Sequence, residues 1–301
     1  MDADTVIRMR QVCTRFGSHV VHQDLDLEVR RGEVFAIVGG SGSGKTVLLR
    51  EMLLLQRPSS GSIEVLGADV RTLDDEQTLA LRKRCGVMFQ HGGLFSALTV
   101  RENVGLPLRE YSTLDDELID DIADWKLSLT GLTADAGLKF PDELSGGMLK
   151  RASLSRAIAL DPELLFLDEP TSGLDPASAA GVDDLIRRMH ELYGLTIVLI
   201  THDLDLLWQV CDRVAVLGEG RVLATGSMQE LSLLDHPIIR GYFDDPRARK
   251  ARDRAEKTAP ELTSFAAPGA TQGPFVAAGT LSRPPTGVEG PLGSGPAPAG
   301  A

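Results

Sequence analysis

The chain has 301 residues, 43% apolar and 25% charged, enough for a sizeable core in one large domain or two close subdomains. Its formal net charge of -12 disfavours nucleic acid as the main ligand. Three scattered cysteines, Cys13, Cys85 and Cys211, form no CxxC pair, so neither a disulfide framework nor a zinc site is suggested and a reducing compartment fits.

The first residues, MDADTVIRMRQVCTRFG, carry no apolar signal core. No apolar stretch reaches the roughly 18 residues of a membrane-spanning helix. If the protein works at a membrane, it works from the side. Residues 24–29, DLDLEV, alternate apolar and acidic side chains as a half-buried strand does. Residues 33–40, EVFAIVGG, run apolar into glycines, the pattern of a fully buried strand. Residues 62–67, SIEVLG, predict another short strand between turn signals.

From about Phe95 to Leu160 the pattern turns helical and polar, which predicts an inserted helical subdomain. Strands return at 164–169, 196–201 and 213–218, separated by helical segments such as 177–194. That alternation predicts an α/β fold with a largely parallel sheet. The charged run 244–257 reads as a solvated helix or tail, with an anionic-lipid contact as the sharper alternative. Segment 258–301 holds 8 of the 16 prolines and is rich in Gly and Ala, so it cannot bury enough apolar surface to offset ordering entropy and is expected to be disordered.

Three motifs carry chemistry. GGSGSGKT, residues 39–46, matches G-x-x-x-x-G-K-[ST] between a predicted strand and a helix. Gly39, Gly40, Ser41, Gly42, Ser43 and Gly44 form a loop whose backbone N–H groups can wrap a polyphosphate, and the helix N-terminus adds partial positive charge. Lys45 would pair with the β and γ phosphates, and the Thr46 hydroxyl would bind Mg²⁺. In FLDEPTSGLD, residues 166–175, two adjacent acids end an apolar strand. Asp168 is placed to hold the Mg²⁺ shell, leaving Glu169 to activate a water against the γ-phosphate. The third element, LSGGM at 144–148, puts Ser145, Gly146 and Gly147 at a helix start, where they offer a second anion-binding end; taken alone, Ser-Gly-Gly is only a turn signal and reads better as a loop.

Together these residues resemble the ATP-binding cassette (ABC) ATPases over about residues 5–235. LSGGM looks like the family signature, with Met148 where Gln is commonest. SGLD, ending in Asp175, resembles the D-loop; Gln90 the Q-loop glutamine, a contact to Mg²⁺ and nucleotide; His202 the switch histidine; Phe16 the aromatic that stacks on adenine. The segments 86–111 and 143–160 resemble the ATPase of Mla/Mce-type lipid transporters. The resemblance implies a P-loop NTPase of the ABC type: a mixed sheet core, an inserted helical subdomain at about 95–160 and an antiparallel β subdomain. It implies ATP and Mg²⁺ as cofactors and Glu169 and His202 as catalytic residues. It also implies a second copy packed head to tail, so that the signature of one chain closes over the ATP of the other. The implied partners are an integral membrane permease and a lipid-binding Mce-domain protein, at the cytoplasmic face of the bacterial inner membrane. Residues 236–257 are expected to be a C-terminal extension, with Ile238, Ile239, Tyr242 and Phe243 as a docking cluster. Two rivals remain open: the ATPase of another ABC importer or exporter, and a non-transport ABC regulatory ATPase.

Overall fold

Residues 5–30 pair as one long antiparallel hairpin, β1 (Thr5–Phe16) and β2 (His19–Arg30). Only 24–29 is legible as a strand in the sequence. In β1 the register shifts between Met9 and Val12, where Gln11 takes a φ of 47°, and this bulge breaks the period-2 pattern. The computed structural model of the protein describes residues 4–243 and 250–255. The predicted tail 258–301 and the charged residues 244–249, 256 and 257 lie outside them.

After the hairpin the chain runs through β3 (Val34–Gly39) and α1 (Lys45–Met52) to β4 (Ser60–Val65) and β5 (Ala68–Asp69). A capping box of Asp74 and Gln77 opens α2 (Asp75–Lys83), which leads to β6 (Cys85–Met88). Then come α3 (Val100–Tyr111), α4 (Asp116–Leu129), α5 (Ala134–Gly137) and α6 (Gly146–Ala157). The last third alternates β7 (Leu164–Asp168), α7 (Pro176–Tyr193), β8 (Thr196–Ile200), α8 (Leu204–Gln209), β9 (Arg213–Gly218) and β10 (Arg221–Gly226). It closes with α9 (Met228–Ser232) and α10 (Pro237–Phe243).

Two sheets result. One is antiparallel, in the order β2-β1-β4-β5; the other is mixed, in the order β10-β9-β3-β8-β7-β6. In the mixed sheet β10 pairs antiparallel with β9, and the other neighbours pair parallel. Side-chain alternation splits each central strand between two cores. Phe35, Ile37, Phe166, Val198 and Leu217 face the antiparallel sheet and α1. Ala36, Val38, Leu165, Leu167, Leu199 and Val216 face α6, α7 and α8. Both faces are covered, which is why these strands read as unbroken apolar runs rather than alternating ones.

The helices between β6 and β7 enclose their own small core of Val100, Val104, Ala123, Leu127, Leu132, Ala136 and Ala152. Buried Asn103 shapes the loop before α3: its Nδ2 donates to the carbonyls of Phe95, Leu98 and Thr99 at 3.0, 3.1 and 2.9 Å. Of the apolar residues in this stretch, Val100 and Leu108 are core, Leu94, Leu98 and Leu106 are half-buried, and Phe95 is 56% exposed. The C-terminal extension docks on its own chain: Ile239 is buried and the Phe243 ring meets Trp208 edge-on at 6.1 Å. Among the described residues no helix is long and apolar enough to cross a membrane.

Candidate functional site

Four adjacent strands, β3, β8, β7 and β6, run parallel, so their carboxyl ends share one edge of the sheet. Ligands of open α/β sheets bind at that edge. Each strand delivers one predicted element there. The P-loop follows β3, His202 lies two residues past β8, Asp168 ends β7 with Glu169 next, and Gln90 lies two residues past β6.

The P-loop turns into α1 at Gly44, whose φ of 95° is left-handed. A Cβ there would also run into Nε2 and Cδ2 of His22 and Cγ1 of Val21, so both strain and space require glycine. Behind that glycine lies a fully buried group: His22 Nδ1 is 3.5 Å from Glu51 Oε2, and the Thr14 hydroxyl donates to Glu51 Oε1. Lys45 Nζ donates to the carbonyls of Gly39 and Gly40 at 2.8 and 3.0 Å. Burial pushes its pKa down, against an opposing pull from Glu169 and Asp168. It also reaches the Ser43 hydroxyl at 3.5 Å. A cation held by loop oxygens and facing acids is suited to exchange them for phosphate oxygens.

Burial, and then the neighbouring Glu169, push the Asp168 carboxyl up. Lys150, Lys45 and Arg50 oppose that push, yet two acids at a half-buried strand end remain costly. Asp168, the exposed Thr46 hydroxyl and the exposed Gln90 amide offer hard oxygen donors, which suit Mg²⁺ with phosphate and water. Among the described residues no group of three or more His, Cys, Asp or Glu could hold a metal by itself, so such an ion would depend on phosphate oxygens. Glu169 is nearly buried, while the His202 side chain is 78% exposed and turns Nδ1 back onto both carboxylate oxygens, at 3.0 and 2.8 Å.

An open groove of about 510 Å³ runs beside the P-loop, lined by His19, Val20, Gln23, Gly40 to Ser43 and the β9–β10 turn. Phe16 does not line it, but it is 49% exposed and pairs with His19 in the β1–β2 hairpin. Ser145 caps α6, its hydroxyl accepting from Met148 N at 3.3 Å, and lies exposed with Gly146. Asp175 caps α7, accepting from the N–H groups of Ala177 and Ser178 at 3.0 and 3.1 Å. Sequence reasoning missed Lys150, and it assigned no role to His22 or Glu51. Lys150, buried on α6, donates to the carbonyls of Gln90 and Glu169 at 2.6 and 2.8 Å. In the run LKRASLSRA it looks like one of several solvated basic residues.

Residues 22–172 match the family model described as ABC transporter. The chain is 41% identical over 258 residues to methionine import ATP-binding protein MetN 1 of Paraburkholderia xenovorans, covering 82% of this chain and 74% of that one. It is 38% identical over 245 residues to the intermembrane phospholipid transport system ATP-binding protein MlaF of Haemophilus influenzae, covering 80% and 92%. Among solved structures, cbiO1 of Clostridium perfringens superposes with a TM-score of 0.70 at 28% identity, covering 86% of this chain and 99% of that one. The ATP-binding cassette MJ0796, in a dimeric post-hydrolysis state bound to ADP and Pi, superposes at 0.68 and 28%, covering 74% and 98%. The chain therefore belongs to the ABC transporter family, as one of its ATP-hydrolysing subunits.

Proposed function

We propose that this ATPase drives phospholipid movement between bacterial membranes from the cytoplasmic face of the inner membrane, seated on a permease that works with an Mce-domain protein. The observation that carries this reading is the extent of the match to MlaF. It spans 92% of that protein, whereas the methionine-import relatives extend further, with 74% and 71% of their lengths covered. The rival reading, methionine import, rests on the somewhat higher identity of 41%.

In the proposed cycle the P-loop amides and Lys45 bind the β and γ phosphates. Phe16 stacks on the adenine. Thr46, Asp168 and Gln90 hold Mg²⁺, which when bound supplies charge neutralisation at the phosphates. Glu169 takes the proton of the attacking water, and His202 holds that carboxylate in place. Ser145, Gly146 and Gly147 present the start of α6, and Asp175 the start of α7, to the nucleotide of a second copy. Within one chain a Cβ at Gly147 would meet Ser178 only at 3.4 Å, ordinary contact. A site closed in trans would place the second copy's γ-phosphate against this position, where a side chain would intrude. The domain plan follows: a cassette at 5–235 with its helical subdomain at 95–160, an extension at 236–257 and a tail beyond.

The test is to tag the full-length chain in its own bacterium, solubilise the membranes and identify what co-purifies. A permease together with an Mce-domain protein supports the phospholipid reading. A permease together with a methionine-binding protein, and methionine uptake lost on deletion of the gene, would replace it.

A further inference from the structure

Glu169 stands in an unusual backbone. Its φ is 50°, the left-handed region that a side chain with a Cβ seldom adopts. Such a residue persists only where its surroundings hold it. The holds are visible on both sides of the residue. Its N–H donates to Ile200 O of β8 at 2.9 Å. Its carbonyl accepts from Lys150 Nζ at 2.8 Å and from Ser172 N at 3.3 Å. The same ammonium donates to Gln90 O at 2.6 Å.

Lys150 is 6% exposed, and burial pushes its pKa down while Glu169 and Asp168 pull it up. A buried cation is costly unless its protons are used. Here two are spent on backbone carbonyls at the ends of two neighbouring strands. Neither bond reaches a phosphate position or a carboxylate; both fix main chain. Lys150 rides on α6, the helix that begins at Ser145. Three parts of the site thus meet at one nitrogen: the signature helix, the loop of Gln90 and the turn of Glu169.

We propose that Lys150 is a positioning residue for hydrolysis, which holds the Glu169 turn and the Gln90 loop in register with α6. The inference rests on the reading of Glu169 as the base. It acts through that residue, so its loss misaligns the carboxylate without emptying the nucleotide site. Any shift of α6 is carried by the same ammonium to both loops.

The test uses the full-length chain with Lys150→Met, Lys150→Gln, Glu169→Gln and the Lys150→Met/Glu169→Gln double variant. Steady-state and single-turnover Mg-ATP hydrolysis and nucleotide affinity are measured for each. Lys150→Met should lower kcat at least tenfold, with nucleotide affinity within about threefold of wild type. In the Glu169→Gln background the same change should alter the residual rate less than twofold, because groups acting as one unit are non-additive. Lys150→Gln keeps two N–H donors and should retain kcat within about fivefold, which also tests the idea if the Met variant fails to fold. A Met variant with wild-type kcat overturns the proposal. So does an equal fractional loss in both backgrounds, a parallel collapse of affinity, or a folded Gln variant at least tenfold slow. Wild-type turnover in Glu169→Gln alone would instead remove the base assignment on which the proposal stands.

Discussion

The Nδ1 of His202 faces both oxygens of Glu169, at 3.0 and 2.8 Å, although 33 residues separate them in the chain. One carboxylate is nearly buried and one imidazole is largely exposed, so the pair joins the interior of the sheet to its open edge. Glu169→Gln should keep nucleotide affinity and lower kcat by about 10²–10⁴, the usual contribution of a general base. His202→Ala should slow turnover in the same direction, and the double variant should be little slower than the worse single one. Additive losses, measured by single-turnover hydrolysis, would separate the two residues.

Lys45→Ala should weaken ATP binding by about 2–5 kcal/mol, the cost of removing one partner from a desolvated charge pair. It should also abolish turnover. Equilibrium binding of a fluorescent ATP analogue checks this, and unchanged affinity would remove Lys45 from the phosphate site.

Closure in trans predicts that cysteines placed at 145 and 42, in a chain freed of Cys13, Cys85 and Cys211, crosslink between two chains when Mg-ATP is added. The Glu169→Gln background should raise the yield, because unhydrolysed nucleotide holds the pair together. Crosslinks confined to single chains on denaturing gels would contradict the head-to-tail arrangement.

Asp183 on α7 predicts a pH effect. It is 8% exposed, and burial, helped by Asp203, Asp205 and Asp184, pushes its carboxyl up to about 7. Arg254 pairs with Asp205 at 2.9 Å and Arg187 with Asp184 at 2.9 Å. The folded chain therefore keeps a proton that the unfolded chain releases near pH 4. The stability tied to that proton is lost as pH rises from about 4 to 7. Asp183→Asn should raise the melting temperature at pH 8, with an upper limit of about 4 kcal/mol, and change it little at pH 4. Melting curves with the same pH dependence in both proteins would exclude Asp183 as the source.

The extension makes a fifth prediction. Ending the chain at residue 231 removes Ile239 and the Trp208–Phe243 contact from the core beside α8. Exposing that surface should cost about 2–5 kcal/mol, as large core truncations do. Ending it at residue 257 should leave Mg-ATP turnover and the melting temperature unchanged. Equal thermal stability of the shorter chain and the full-length chain would rule out a structural role for α10.

The sequence alone was enough for the features that local chemistry dictates. The P-loop needs glycines, a lysine and a hydroxyl in a row between a strand and a helix, and residues 39–46 with their flanks supply that pattern. The parallel strands read as apolar runs because both faces are buried, a property of each strand by itself. Other features depend on where distant segments meet. The bulge at Gln11 hides β1, because one left-handed residue shifts the face of every side chain after it. His22 and Glu51 look like surface polar residues until β2 and α1 close over them. Lys150 looks like one basic residue among several on α6, and only the parallel pairing of β6 with β7 brings the carbonyls of Gln90 and Glu169 within reach of one ammonium. A hydrogen bond needs its partners within about 3 Å, and no spacing along a chain encodes a distance that the sheet alone sets.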